Sequence, residues 1–151
     1  MSTRSALRVV PHDPGVDLAA AEAAATQFLT ALGVALDSEG IRGTPGRMAR
    51  AYAELFAPRP FELTTFPNEE GYDELVLARA LPVHSVCEHH LLPFVGVAHV
   101  GYLPGNRILG LSKLARVVEH FARRPQVQER LRTRDELVHP GSGVSGWARS
   151  V

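Results

Sequence analysis

Several features that would direct this chain to an oxidising compartment, a membrane or a nucleic acid are missing. A single cysteine among 151 residues excludes an intrachain disulfide. The 16 basic and 16 acidic residues give a formal net charge of zero, which argues against a nucleic-acid or membrane-surface protein, because both need a positive field. Neither the first ten residues nor any later segment has the apolar run of a signal peptide or a membrane span. We therefore expect a cytoplasmic protein that binds neither nucleic acid nor membrane.

The composition that remains is that of one ordinary globular domain. Hydrophobic residues make up 45% of the chain and charged residues 21%, and 151 residues are enough to bury a core. Pro11 and Pro14 interrupt the first segment, and the last segment has no helical or strand period. We expect a flexible N-terminus at 1–14, a domain at 15–132 and an unstructured tail at 133–151.

Two helices are predicted in the N-terminal part. The alanine-rich stretch 16–36 favours a helix that ends near Gly33, and its apolar face is formed by Ala25, Phe28, Leu29 and Leu32. A second helix is predicted to begin at Thr44, as the cap, with Pro45 in the first turn, where its missing N–H costs nothing. Residues 61–72 are interpreted as a loop.

The middle of the chain predicts an antiparallel hairpin followed by helices. Residues 74–86 and 94–103 have strand character, and the second strand places Val95 and Val97 on one side and Ala98 and Val100 on the other. A third helix is predicted over 112–124, with His120 on its exposed surface, and a short helix over 126–132. The loop between the two strands would carry the single cysteine.

That loop contains the pattern Cys87-Glu88-His89-His90. A thiolate and an imidazole at the spacing Cys-x-x-His can bind one zinc ion, and zinc with few protein ligands keeps a position for a reactive water molecule. Alternatively, Cys87 is a small buried side chain and the histidines are ordinary surface groups. The spacing alone leaves both interpretations open.

The stretch around Ser112, Lys113 and Arg116 has the chemistry of an anion site. It begins a helix, where free backbone N–H groups and the positive end of the helix dipole favour phosphate. Ser112 can cap the helix, and Arg116 lies one turn later on the same face. A capped amphipathic helix with solvated bases is the alternative.

Gln128 and Glu129 form an amide–carboxylate pair. A carboxylate accepts two parallel N–H bonds, which matches the N1–H and 2-amino donors of guanine but not adenine. The alternative is a polar helix face, since adjacent helix positions point in different directions.

Taken together, these motifs resemble the GTP cyclohydrolase I family. The resemblance covers residues from about 16 to 131, and the segments that carry it are 39–48, Ser85–Phe94, Val100–Pro104, Ile108–Arg124 and Gln126–Leu131. It implies an α+β tunnelling fold, in which N-terminal helices precede an antiparallel sheet with helices packed on one face. It also implies a homo-oligomer, a decamer of two stacked pentamers, with sites at the subunit interfaces.

The resemblance implies a role for each candidate residue. Cys87 and His90 would bind Zn²⁺, and His89 would be the catalytic proton carrier. The substrate GTP would be held at its triphosphate or ribose end by Ser112, Lys113 and Arg116 and at its guanine by Gln128 and Glu129. The reaction would be zinc-dependent hydrolysis of GTP to 7,8-dihydroneopterin triphosphate and formate, the first step of tetrahydrofolate or pterin biosynthesis.

The sequence departs from the family pattern after Leu131. The family's further strands, a His-x-Cys pair whose cysteine is the third zinc ligand, and a triphosphate-binding arginine have no counterpart there. We therefore expect the C-terminal part of the fold to be missing, and we do not expect His139 to replace the cysteine. The alternative function is a catalytically inactive, truncated homologue that acts as a binding or assembly subunit.

Overall fold

A computed structural model describes residues 6–9, 15–133 and 144–150. The helices are α1 (Leu18–Ala31), α2 (Thr44–Leu55), α3 (Leu111–Ala122) and α4 (Gln128–Thr133). The strands are β1 (Ala6–Val9), β2 (Phe61–Pro67), β3 (Val76–Cys87), β4 (Pro93–Pro104), β5 (Arg107–Leu109), β6 (Pro125–Gln126) and β7 (Val144–Ser150). None of the helices in these ranges is long and apolar enough to cross a membrane. The chain divides into two units, His12–Ala57 and the remainder.

The smaller unit consists of α1 and α2. Asp17 caps α1 by accepting a hydrogen bond from the Ala20 N–H at 2.9 Å, and Gly33 follows the helix with a φ of +78°, a conformation that glycine adopts without strain. Gly46 of α2 lies against the Glu22 carboxylate of α1. A Cβ atom at position 46 would lie only 3.0 Å from that carboxylate, so Glu22 would have to shift. Small residues at this position therefore let the two helices pack closely.

The larger unit contains two sheets. β1, β2 and β5 form a three-stranded sheet, and β6, β3, β4 and β7 form a four-stranded sheet in that order. β3 and β4 pair antiparallel from Val76↔Tyr102 to Val86↔Pro93, with a register shift between Ala78 and Leu81. β6 is the exception to the antiparallel pattern, because it pairs parallel to β3 and places Gln126 beside Cys87.

The core lies between α3 and the β3–β4 pair. Its buried residues come from both layers, and they are Val83, Ala98, Val100, Tyr102, Leu114, Val118 and Ala122. The Tyr102 hydroxyl accepts a hydrogen bond from the Leu109 N–H at 3.0 Å and lies 3.2 Å from the Leu109 carbonyl oxygen, so it joins β5 to β4. The apolar stripe of α3 and the inward side of β4 thus bury each other.

Two buried side chains hold the C-terminal end of α3. The Ser85 hydroxyl, from β3, donates to the Ala122 carbonyl at 2.7 Å, and the Gln126 amide donates to the Phe121 carbonyl at 2.8 Å. The last carbonyls of a helix have no partner within the helix, so side chains that bind them stabilise the helix end. These two bonds attach α3 to β3, which leads into the cysteine loop, and to β6, which pairs with β3.

The predicted α+β class, the antiparallel hairpin and the helices are confirmed, and Ala98 and Val100 are buried while Val95 and Val97 are exposed, as expected. Four details of the sequence interpretation were wrong. Part of the predicted loop 61–72 is strand β2, which has partners on both sides. His120 is 3% exposed rather than on the surface, and its ring contacts Arg124 and Phe121.

The other two corrections concern helix starts. Ser112 does not cap α3, because the cap is Gly110, no side chain binds the first free N–H groups, and Ser112 is exposed. Thr44 is the first residue of α2 and Gly43 is its cap. The cap therefore lies two residues before Ser112 and one residue before Thr44, and in both cases it is a glycine.

Strands β1 and β7 lie within the two end segments for which the sequence showed no period. β7 pairs antiparallel with β4, from Ala98↔Ser150 to Pro104↔Val144. The boundaries 1–14, 15–132 and 133–151 stay predictions, and the rest of both end segments, His139 included, lies outside the described residues.

The geometry of the α3 ends predicts that alanine substitution lowers stability at Ser85 but not at Ser112. Ser85→Ala removes a buried hydroxyl and one of two donors to the Ala122 carbonyl, which keeps the Arg124 N–H at 2.8 Å, so we expect it to lower the free energy of unfolding by about 0.5–1.5 kcal/mol. Ser112→Ala should change it by less than about 0.5 kcal/mol, because that side chain is exposed. Urea unfolding followed by circular dichroism measures both. A loss of about 1 kcal/mol for Ser112→Ala would restore its capping role.

His120 predicts a pH dependence of stability. Burial, and then the neighbouring Arg124 guanidinium, lower the pKa of His120 below its ordinary value of about 6.5, although a backbone contact at Arg59 opposes them. Between the lowered pKa and about pH 6.5, His120 therefore binds a proton in the unfolded chain but not in the folded chain. Stability should be fully present above about pH 6.5 and should fall as the pH drops toward the lowered pKa.

The variant His120→Gln tests this expectation. A glutamine oxygen can replace the ring Nε2, which lies 3.2 Å from Arg124 Nη2, and it does not titrate. Urea midpoints measured between pH 5 and 8 should therefore depend less on pH in this variant than in the wild type. The exposed His84 offers the control, since His84→Gln changes no buried group. Equal slopes for His120→Gln and the wild type would contradict the assignment.

Candidate functional site

The cysteine loop is closed by its own backbone. The Cys87 N–H donates to the Leu92 carbonyl, and the Leu91 N–H donates to the Cys87 carbonyl, both at 2.9 Å. Leu91 has a φ of +57°, a left-handed conformation that costs a non-glycine residue about 1–2 kcal/mol. The two backbone hydrogen bonds hold Leu91 in this conformation, so they fix the shape of the loop.

The loop brings the cysteine and both histidines to one place. Cys87 is half-buried, and the histidines are exposed. The Cys87 sulfur lies 3.9 Å from His89 Nδ1, and His89 Nε2 lies 4.0 Å from a Glu88 carboxylate oxygen. In this arrangement His89 is the imidazole beside the thiol.

His90 is held differently. Its Nδ1 accepts a hydrogen bond from the Leu92 N–H at 3.2 Å, so the neutral ring carries its proton on Nε2. His90 must release this hydrogen bond before either nitrogen can offer a lone pair to a metal ion. The change is small, because the loop backbone is held by other bonds.

The donors fit zinc in type and fall short of its usual number. One thiolate and the imidazoles next to it are ligands that zinc prefers, and a catalytic zinc site usually has three protein ligands. Within the described ranges, no three His, Cys, Asp or Glu side chains are grouped so that they could hold a metal ion. A complete site therefore needs a donor from outside these ranges or from another chain.

A cleft of about 500 Å³ opens beside the loop. This volume is within the usual range for small-molecule sites. It brings together five of the predicted site residues, Cys87, His89, His90, Gln128 and Glu129, and its other lining residues include the apolar side chains Val83, Phe94, Val95, Val97, Val127 and Leu131. The cleft therefore combines a largely apolar wall with a few polar groups, as small-molecule sites usually do.

Ser112, Lys113 and Arg116 do not line this cleft. They begin α3, whose other end is the one fastened to Ser85 near the loop. A 12-residue helix is roughly 18 Å long. In one chain the basic group therefore lies in the first half of α3, whereas Gln126, which lines the cleft, binds the last turn of the helix.

An ion pair joins the cysteine loop to α4. Both guanidinium Nη atoms of Arg130 donate to the two carboxylate oxygens of Glu88, one of them at 3.0 Å and the other closer. The hydrogen bonds from Arg130 lower the pKa of Glu88, and the same contact raises the pKa of Arg130. Both side chains are therefore charged at neutral pH. The sequence analysis assigned no role to either residue.

Comparison with known proteins identifies the family. Residues 21–136 match the sequence model of GTP cyclohydrolase I. The chain belongs to the GTP cyclohydrolase I family. The mixed α+β architecture, with antiparallel sheets and helices, is consistent with that family's tunnelling fold, as the resemblance implied.

Several relatives named GTP cyclohydrolase 1 match most of the chain. The protein of Streptomyces griseus subsp. griseus is 56% identical over 118 residues, 75% of this chain and 59% of the relative. That of Mycolicibacterium gilvum is 54% identical over 123 residues, 78% of this chain and 61% of the relative. That of Corynebacterium aurimucosum is 49% identical over 136 residues, 85% of this chain and 69% of the relative. The chain thus spans about three fifths of the length of the first two.

Proposed function

We propose that this chain carries out the GTP cyclohydrolase I reaction, zinc-dependent hydrolysis of GTP to 7,8-dihydroneopterin triphosphate and formate. The observation that carries the proposal is the cleft, in a member of this family, that collects the thiol and imidazole donors and the Gln128–Glu129 pair around an apolar wall. Its product would enter tetrahydrofolate or pterin biosynthesis, in the cytoplasm.

Guanine would bind with its ring against the apolar wall. Glu129 would accept the N1–H and 2-amino hydrogens, and Gln128 would add an amide contact at the same edge. An adenine base presents an acceptor at N1, so it would place two acceptors against each other and leave a polar group unpaired, which costs about 1–3 kcal/mol. The cleft would therefore select guanine nucleotides.

Cys87 and His90 would hold Zn²⁺, together with a donor from outside the described ranges. Bound zinc lowers the pKa of a water molecule so that it can attack near neutral pH. His89, exposed at the cleft, would carry protons while water adds to C8, the C8–N9 bond opens to a formamide, and a second hydrolysis releases formate.

The triphosphate or ribose end would be held by Ser112, Lys113 and Arg116 of another subunit. This assignment is supported by the separation of that group from the cleft along α3. It is also supported by exposed apolar side chains on the β3–β4 pair outside the cleft, with Leu77 50% and Leu103 45% exposed, which another copy of the chain could cover. The proposal therefore includes a homo-oligomer, for which the family's decamer is the expected form.

A second candidate function is an inactive homologue that acts as a binding or assembly subunit. The absence of a group of three metal donors within the described ranges favours it. Formate release and dihydropterin absorbance with GTP distinguish the two. Turnover supports the enzyme, and assembly without turnover supports the second candidate.

The metal assignment predicts the effect of Cys87→Ser. Replacing the thiolate removes the strongest zinc donor of the loop, so we expect zinc affinity to fall at least about 10-fold. Zinc content after dialysis, measured by atomic emission, reports the change. His84→Gln, an imidazole change on β3 outside the cleft, should retain wild-type zinc. Stoichiometric zinc in Cys87→Ser would remove that residue from the ligand set.

The guanine assignment predicts the effect of Glu129→Gln. A glutamine keeps the shape of the side chain but replaces one acceptor oxygen by a donor, so we expect the Kd for GTP to rise about 10- to 100-fold. Isothermal titration with GTP and ATP measures affinity and selectivity. Glu62→Gln on β2 is the matched control. If Glu129→Gln binds GTP as tightly as the wild type, another residue recognises the base.

A further inference from the structure

The Glu88–Arg130 pair connects the two parts of the proposed site. Glu88 lies between Cys87 and His89 in the loop, and Arg130 follows Glu129 in α4. Its two Nη atoms each contact a different oxygen of the Glu88 carboxylate. A fork-to-fork contact of this kind restricts orientation as well as distance.

Two backbone contacts support the same connection. The Glu88 N–H donates to the Gln126 carbonyl at 3.0 Å, and Cys87 pairs with Gln126 in the parallel β3–β6 register. The Gln126 side chain is 1% exposed and donates to the end of α3. The backbone therefore fixes where α4 begins, Leu131 packs the helix against the core, and the ion pair is the side-chain contact that joins α4 directly to the loop.

Stability alone does not account for this ion pair. The side chains of Glu88 and Arg130 are 27% and 45% exposed, and ion pairs as exposed as this contribute at most about 1 kcal/mol. The contact also occupies both side chains. Both carboxylate oxygens of Glu88 are thereby paired with Arg130, and one of them also lies 4.0 Å from His89 Nε2.

We propose that Glu88 and Arg130 are positioning residues that hold the metal-binding loop and the guanine-binding end of α4 at one fixed separation. The inference rests on the proposed function, because it assumes a metal ion at Cys87 and a guanine at Glu129. Neither side chain touches the substrate. Their role is to keep the purine carbon C8 next to the reactive water molecule, since a displacement of about 1 Å can cost on the order of 100-fold in rate.

The proposal separates binding from alignment. Without the pair, the loop still offers its thiol and imidazoles and α4 still offers its carboxylate. Metal and nucleotide affinities should therefore stay within about 3-fold of the wild type, while the geometry between the two ligands becomes loose. A role in folding alone would instead lower stability and both affinities together.

The test uses the full chain with Co²⁺ and GTP as probes, in the variants Glu88→Gln, Arg130→Gln and the two combined. Paramagnetic Co²⁺ shortens the relaxation time of the purine H8 proton, and this effect falls steeply with distance. We expect each single variant to lose most of the H8 enhancement. The combined variant should be no worse than either one, because the two residues act as one unit.

Two further variants sharpen the comparison. Arg130→Lys keeps the charge but not the fork, so it should behave like Arg130→Gln. Glu119→Gln removes another exposed pair, with Arg59 and Arg123 on the outside of α3, and it should leave the H8 enhancement at the wild-type level. Where turnover is measurable, Glu88→Gln should lower kcat about 10- to 100-fold with KM for GTP within about 3-fold.

The possible results distinguish a failure of the proposed function from a failure of the positioning role. Wild-type protein that binds neither Co²⁺ nor GTP overturns the proposed function, and the positioning role with it. Wild-type protein that binds both, with full H8 enhancement retained in Glu88→Gln, overturns the positioning role alone. Additive losses in the combined variant, or an equal loss in Glu119→Gln, would also overturn it.

Discussion

The short parallel pairing of β6 with β3 is the constraint on which the site depends. It is only two residues long, yet it places Gln126 beside Cys87, and the buried Gln126 and Ser85 side chains fasten the end of α3 to the same place. Without the Gln126 amide, the Phe121 carbonyl would lose its side-chain donor, and an unsatisfied buried group of this kind costs about 1–3 kcal/mol. The same hydrogen bonds that complete α3 therefore also bring the cysteine loop and α4 together.

The cleft that results has two chemically distinct halves. On one side are soft and nitrogen donors in a closed loop with a strained Leu91, and on the other are an amide and a carboxylate at the beginning of α4. The basic residues of α3 lie in the first half of that helix. If the base binds in the cleft, as proposed, these basic residues of the same chain lie away from it, and for that reason the proposal assigns the phosphates to a second subunit.

The sequence predicted the helices and the hairpin well because their signals are local. The helix at α3 and the alternation along β4 depend on spacings of a few residues, and both were confirmed. It missed β2 because a strand with Pro67 and Asn68 at its end looks like a loop until its two neighbours are known. It placed His120 on the surface because one histidine on a helix carries no sign of which side the sheet will cover.

The candidate site shows the same limit at closer range. Cys87, His89, His90, Gln128 and Glu129 were selected from their chemistry, and the cleft collects all five. Glu88 and Arg130 were not selected, although both are adjacent to selected residues. Their ion pair joins positions 42 residues apart, and the local sequence around either residue does not reveal such a contact.

By itself, then, the sequence determined the kinds of groups available, the helices and the β3–β4 hairpin, and the family resemblance, since each follows from residue type and short spacing. Only the tertiary structure decided which of these groups meet. Which groups meet depends on the strand register and on the side chains that hydrogen-bond the last carbonyls of α3, and both are set by contacts between residues far apart in the chain.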